Sequence, residues 1–291
     1  MRPKDENEFF VRHNSINYLD LKSSLVYEPF FISTANVKAK TLYFFEEHCH
    51  PAFEMIIPEN KDYKCSLNGA DLVLHPGEFL LVQVNDLHQD VFDPGLNFIG
   101  ITFLLRSSIE LKKAESLFRK DIKPTQQINL LPENDEVFDA AYSLLKKAAS
   151  SQGTFAYYVL NGIFNTVFWK IMEAIPESSL APVFMKSARD ECFKEGLIKY
   201  FELNLENKFD AGDLAGYFNM SRSSIGQKSK RLLGVGPAKA FMNYKMKKAM
   251  ILLKATDLSI KEISERLAFE DQFCFSKAFK KHYGKPPSFY R

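Results

Sequence analysis

The stretches "MSRSSIGQKSKRLLGVGPAKA" (residues 220–240) and "EDQFCFSKAFKKHYGKPPSFY" (residues 270–290) are one pattern written twice, 50 residues apart. In that register Ile225 meets Phe275, Lys230 meets Lys280, Arg231 meets Lys281, Gly234 meets Gly284 and Pro237 meets Pro287. Just upstream, Leu214 and Phe218 meet Ile263 and Leu267 at a shift of 49. Each copy predicts helix, tight turn, helix. In the first, Asp210 can cap one helix, Asn219 sits at the turn, and Ser221 can cap a second helix running through Leu233. In the second, Ser259 and Glu262 fit a capping box, a turn falls near Ala268 and Phe269, and a helix follows from about Asp271 to Tyr283. Between the copies Pro237 opens a further helix at a favourable first position, which makes a rigid spacer. Helix-turn-helix units lay their second helix in the DNA major groove, and two at a fixed separation could read successive grooves about 34 Å apart. The start of a solenoid fits poorly, because both copies stop at matched glycines and prolines and carry basic second helices.

The charge distribution points the same way. From residue 184 onward there are 21 Lys and Arg against 12 Asp and Glu, a balance of +9, whereas the remainder balances at −7. A basic domain suggests a polyanion, and the acidic remainder a different partner. At 291 residues, 46% hydrophobic and 25% charged, the chain is globular and long enough for two cores. No run of about 18 apolar residues offers a membrane span. The opening "MRPKDENEFF" carries acids where a secretory signal needs an apolar core, so an unprocessed, cytoplasmic protein is expected. Cys49, Cys65, Cys192 and Cys274 form no CxxC pair, which argues for reduced thiols rather than a zinc module or a disulfide framework.

Residues 25–105 read as short strands, with reversals at Asn68-Gly69, Pro76-Gly77, Asn85-Asp86 and Asp93-Pro94-Gly95. Even spacing predicts a β-sandwich or small barrel, and with the helices downstream an α+β chain. After Pro132 the apolar period becomes helical: Val137, Ala141, Leu144 and Leu145, then Phe155, Val159, Ile163, Val167 and Ile171 with Leu160, Phe164 and Phe168 beside them. The second of these helices is apolar over a wide arc, enough to cover the β-rich part and also meet a second copy of the chain; an internal core helix is the alternative. "PESSLAPVF" (residues 176–184) then breaks the pattern with two prolines and two serines. The expected organisation is a β-rich sensing and dimerisation domain over residues 1–175, a linker over 176–185, and a helical domain over 186–291.

Residues from about 190 to 291 resemble the DNA-binding domain of the AraC family of transcription regulators, on the strength of "DLAGYFNMSRSSI", "GVGP", "KKAMILL" and "SIKEISERLAFEDQFCFSKAFKKHYGKPPSFYR". The resemblance implies base contacts from Arg222, Ser223, Gly226 and Gln227 in the first recognition helix, and from Gln272, Phe273 and Lys277 in the second. Lys230, Arg231, Lys280 and Lys281 are then placed for phosphates, where charge raises affinity without reading sequence. Gln227 could pair with adenine in two places and Phe273 could touch a thymine methyl. Four positions depart from the family pattern: Gln227 stands where arginine is frequent, Ser229 replaces an aromatic core residue, Lys245 replaces the usual arginine of the linker helix, and Ala268 replaces a turn glycine. The last needs a backbone that avoids φ > 0 or accepts a small strain.

The β-rich part resembles a cupin barrel through "HCHPAFE": His48, His50 and Glu54 match its first motif, and Gly77 stands eleven residues before His88, the spacing to its last ligand. Gln83, Asn85, Lys61 and Phe92 depart from the motif. The resemblance implies that His48, His50, Glu54 and His88 line an effector pocket, with binding of zinc, iron or manganese by the same four as the alternative. His13 and His75 have no evident partners, which leaves them a surface or structural role. Together these readings describe a regulator that is not an enzyme and needs no cofactor, with double-stranded DNA, a small-molecule effector, a second copy of the chain and RNA polymerase as candidate partners, and no membrane. Two alternatives stay open: a cupin metalloenzyme with an accessory helical domain, and a constitutive DNA binder whose barrel only dimerises.

Overall fold

The computed structural model describes residues 27–107, 116–148 and 153–291, so His13 and the opening stretch lie outside the described residues. The chain divides into two units between Ala188 and Arg189.

The first unit carries strands β1 (Tyr27–Lys38), β2 (Tyr43–His48), β3 (Phe53–Pro58), β4 (Tyr63–Leu67), β5 (Ala70–Leu74), β6 (Glu78–Val82), β7 (His88–Phe92), β8 (Asn97–Ser107) and β9 (Ile128–Leu130). They pair antiparallel in a five-stranded sheet, β1-β8-β3-β6-β9, and a four-stranded sheet, β2-β7-β4-β5. Reversals fall where the sequence marks them, with Asn68 (φ 49°), Gly69 (φ 79°), Asn85 (φ 64°) and Gly95 (φ 82°) supplying left-handed backbone. The short strand β9 has no signal in the sequence reading.

Side-chain parity builds two layers of core. Phe53, Met55 and Ile57 of β3, with Phe79 and Leu81 of β6, pack toward helices α1 (Glu136–Ala148) and α2 (Ala156–Ala174). Ile56, Leu80 and Val82 face the other way, onto Tyr63, Cys65, Leu67 and Leu74 of the second sheet. The central strands are thus buried on both faces, which is why "FEMII" reads as an apolar run rather than an alternation. Glu54 shares the face of Ile56, so strand period alone carries a carboxylate between the sheets. On the helix side, Phe164 and Phe168 of α2 have no exposed surface and lie 5.3 and 5.5 Å from the Phe103 ring. Truncating either to alanine would cost about 3–5 kcal/mol.

The helical unit begins within α3 (Pro182–Leu203) and continues through α4 (Ala211–Tyr217), α5 (Arg222–Leu233), α6 (Pro237–Ala255), α7 (Ile260–Arg266) and α8 (Gln272–Tyr283). One core gathers Phe193, Leu197 and Phe201 of α3 with Leu214, Ile225, Leu232 and Phe241. The other gathers Met246, Ala249 and Leu253 of α6 with Ile263, Leu267, Phe275 and Phe279. The spacer helix α6 therefore contributes to both cores and holds the two helix-turn-helix units together.

Candidate functional site

The recognition helices are set by local chemistry. The Asp210 carboxylate accepts from the Gly212 and Asp213 amides to start α4, and Ser221 Oγ accepts from the Ser224 amide at 3.1 Å to start α5. In the second unit Ser259 and Glu262 form the anticipated capping box, and Asp271 accepts from the amides of Phe273 (2.8 Å) and Cys274 (2.7 Å). Both recognition helices end at a left-handed glycine, Gly234 (φ 76°) and Gly284 (φ 80°). Both turns use a left-handed residue, Asn219 (φ 51°) and Ala268 (φ 52°), so Ala268 accepts the strain that a glycine would avoid.

With Ile225, Leu232 and Leu233 buried, α5 turns Arg222, Ser223, Gln227 and Lys230 outward, with Gly226 half-buried among them. Their spacing of three and four residues puts them on one face. With Phe275 and Phe279 buried, α8 presents Gln272, Phe273, Lys277, Lys280 and Lys281, and Phe273 is 75% exposed. Such a large exposed aromatic ring beside three lysines has no packing role in the unit.

Two side chains behave differently from the sequence reading. Arg231 does not stand free: its guanidinium donates to both oxygens of buried Asp190 on α3, each at 2.7 Å. This pair fastens α5 to α3 and neutralises a charge that had been read as a phosphate contact. Lys228, not singled out from sequence, lies 4.6 Å from the Phe193 ring and donates to the Arg189 carbonyl at 3.3 Å. Neither link has a signature in sequence, since Asp190 and Arg231 are 41 residues apart.

The four residues of the β unit converge. His48 and His88 are opposite each other in the β2–β7 ladder, and one ring nitrogen of His48, His50 and His88 lies within 4.8 Å of the others. Each Nδ1 sits against a main-chain carbonyl: Glu46 O at 2.9 Å, Ala52 O at 2.8 Å and Asp86 O at 3.2 Å. A carbonyl can only accept, so each Nδ1 carries a proton and Nε2 is the nitrogen each ring can offer to the site. Glu54 Oε2 lies 3.1 Å from His50 Nε2 and 3.6 Å from His88 Nε2.

This crowding of acceptors explains the titration behaviour. Burial alone would raise the Glu54 pKa, but His50 at hydrogen-bond distance and His88 close by outweigh burial and take it down to about 2. The Glu54 bond raises His50 against the opposing effect of burial. Burial lowers His88, and the nearby Glu54 and Asp90 carboxylates reverse that to a net rise. A proton or another cation between His50 Nε2 and Glu54 Oε2 would relieve the crowding of two acceptors 3.1 Å apart. His88 Nε2 is buried without a hydrogen-bond partner among the described residues, and three imidazole nitrogens with carbonyl-anchored Nδ1 atoms suit a divalent cation. His48, His50 and His88 would hold it, with Glu54 beside them.

A β-bulge between Phe45 and His48 keeps Tyr43, Phe45 and His48 in register with Phe92, Asp90 and His88. Tyr43 stacks on Phe92 at 6.0 Å and Phe45 lies 4.7 Å from His48, while both Tyr43 and Phe45 remain substantially exposed. The site is thus a polar floor with an aromatic rim, and the rim was missed because the bulge is invisible in sequence. His75, expected to lack a partner, pairs with Asp62 at 2.9 Å on the surface.

Residues 214–291 match the family described as a helix-turn-helix domain. The Msm operon regulatory protein of Streptococcus mutans is 22% identical over 230 residues, 78% of this chain and 80% of that protein. The transcriptional regulator GbdR of Pseudomonas aeruginosa is 31% identical over 91 residues, 31% of this chain but only 25% of GbdR. The C-terminal part of the chain is thus an AraC-type helix-turn-helix domain. A solved AraC-type regulator from Chromobacterium violaceum aligns over 36% of this chain and 93% of its own, with 26% identity and a TM-score of 0.34. No described helix is long and apolar enough to cross a membrane.

Proposed function

We propose that this chain is an AraC-family transcription regulator that reads double-stranded DNA with α5 and α8 and responds to a small molecule bound between its two sheets. The observation that carries this is the pair of outward faces, Arg222–Ser223–Gly226–Gln227–Lys230 and Gln272–Phe273–Lys277–Lys280–Lys281, on helices that each start at a side-chain cap and end at a left-handed glycine. In this reading residues 1–175 sense and pair, 176–185 connect, and 186–291 bind DNA. The floor of His48, His50, Glu54 and His88 with its aromatic rim suits an amphipathic effector. A homodimer is supported by exposed Val137, Leu144, Tyr158 and Val159 beside a groove of about 530 Å³ between α1 and α2. Effector binding then biases which DNA sub-sites two linked copies hold together, which changes avidity without new contacts. RNA polymerase is a natural further partner where such a site adjoins a promoter.

The test is selection of bound duplexes from a random pool by the full-length protein. The expected result is one motif with two sub-sites about one helical turn apart. Failure to enrich any sequence, with or without candidate effectors, overturns the reading.

The three carbonyl-anchored histidines favour a second reading of the β unit, in which a divalent cation is bound with the effector or as the effector. The cation would supply a fixed positive charge for an oxygen-bearing ligand. Wild-type protein equilibrated with zinc or manganese and then gel-filtered should retain roughly one ion per chain, and His50→Ala should lose it. Wild type that emerges without metal refutes this reading alone.

A further inference from the structure

Lys245, in the middle of α6, is 4% exposed. Its ammonium donates to the Asn207 carbonyl at 2.8 Å and to the Leu267 carbonyl at 2.6 Å. It also lies 4.9 Å from the Phe241 ring and 5.9 Å from the Phe269 ring. No carboxylate pairs with it among the described residues. Asn207 belongs to the loop that leads from α3 into α4, the opening of the first helix-turn-helix unit. Leu267 closes α7 and directly precedes strained Ala268 in the turn of the second. One buried cation is thus bonded to both units from the helix that separates them.

Such a group is costly. Desolvation pushes its pKa down to about 8, and an apolar side chain of similar length would fill the same space without burying an ammonium. What an apolar residue would not supply is direction: two N–H donors aimed at two carbonyls fix the loop and the turn relative to α6. Lys248 binds Glu202 at 2.9 Å and joins α6 to α3, while the Tyr283 hydroxyl reaches the Met246 carbonyl at 3.4 Å and joins α8 to α6. Lys245 reaches both sides from one atom.

We propose that Lys245 is a specificity-determining residue that acts at a distance from DNA, by fixing the separation and phase of the two recognition helices and hence the spacing between the sub-sites that one chain reads. Adding one base pair between sub-sites moves the second by about 3.4 Å and rotates it by about a tenth of a turn. Rejecting that displacement requires two units that do not yield, and a packed apolar seam slides more readily than a bonded junction. The inference rests on the proposed function, since it needs two sub-sites to be read.

The experiment uses full-length wild type, Lys245→Met and Lys245→Arg, with duplexes carrying the selected sub-sites at native spacing, at one and two base pairs more or less, and with one sub-site alone. Wild type should prefer native spacing over a one-base-pair change by about tenfold, a penalty like that of a mismatched base pair. Lys245→Met should reduce that preference to about threefold or less while single-sub-site affinity stays within about twofold, and Lys245→Arg, which keeps donors, should retain the preference. Should Lys245→Met not fold, as judged by its thermal melt, Lys245→Gln takes its place under the same criterion. A folded donor-free or shortened variant with the wild-type spacing preference overturns the inference and leaves the functional reading intact. A parallel loss of single-sub-site binding also overturns it, because Lys245 would then be merely structural. Wild type that binds none of the duplexes removes both.

Discussion

The two helix-turn-helix units share one backbone and divide their chemistry. Caps at Ser221 and Asp271, left-handed turns at Asn219 and Ala268 and glycine stops at Gly234 and Gly284 coincide almost residue for residue. Inside and outside, they part. Where the second unit buries Phe279, the first buries Ser229, and its core is filled instead by Phe193, Phe201 and Phe241 from α3 and α6. Where the second leaves Lys281 exposed, the first ties Arg231 to Asp190. The first unit is thus docked through α5 onto α3, and the second leaves the lysines of α8 exposed. Backbone geometry follows from local caps; the work each unit does follows from which charges its neighbours consume.

The sharpest way to break this comparison is to remove charge from each unit and measure salt dependence. Lys280→Ala with Lys281→Ala should weaken binding to all sequences by roughly tenfold to a hundredfold and flatten the log–log salt slope by about 2. Arg231→Ala should leave that slope nearly unchanged and lower thermal stability by about 1–2 kcal/mol, toward the lower end because the guanidinium is about half exposed. Titrations of both variants at several salt concentrations, with melts alongside, make the check. Equal slope changes would mean that Arg231 leaves Asp190 for phosphate, and the division of labour between the units would collapse.

Ser229 offers a smaller and cleaner contrast. It is fully buried and its hydroxyl has no hydrogen-bond partner among the described residues. Ser229→Ala should therefore stabilise the protein by about 1 kcal/mol, whereas Phe279→Ala at the equivalent position should cost about 3–5 kcal/mol. Chemical denaturation of the two variants decides it; a destabilised Ser229→Ala would mean that the hydroxyl is bonded in solution.

How much of this was legible in sequence follows from the range of each interaction. Caps, turns and glycine stops act over three or four residues, so both helix-turn-helix units could be drawn from the repeat, down to Asp210, Ser221 and the Ser259–Glu262 box. His48, His50, Glu54 and His88 were named together through the resemblance to a cupin motif, and the fold brings them together across β2, β3 and β7. Helix α3 was not legible, because its apolar residues serve two cores, Phe184 in one and Phe193, Leu197 and Phe201 in another, and no single period results. Its first residue, Pro182, reads as a breaker although proline is well tolerated at a helix start. Burial of Lys245 and the Asp190–Arg231 pair were hidden because a charged residue in sequence reads as solvent-exposed, and only partners far along the chain reverse that.

The smallest expected effect tests whether the shared backbone is equally comfortable in the two units. Asn219 and Ala268 adopt nearly the same positive φ, 51° and 52°. Asparagine tolerates that region, but alanine places its Cβ against the following carbonyl at a cost of about 1–2 kcal/mol. Ala268→Gly removes the clash and adds freedom to the unfolded chain, so a net gain of about 0.5–1 kcal/mol is expected. Asn219→Gly relieves less and should come out near zero or slightly destabilising. Calorimetric melts of both variants against wild type read the difference directly. Equal shifts would mean that the Leu267 carbonyl bond from Lys245 holds the second turn firmly enough to compensate for alanine, and the two units would then be strained alike.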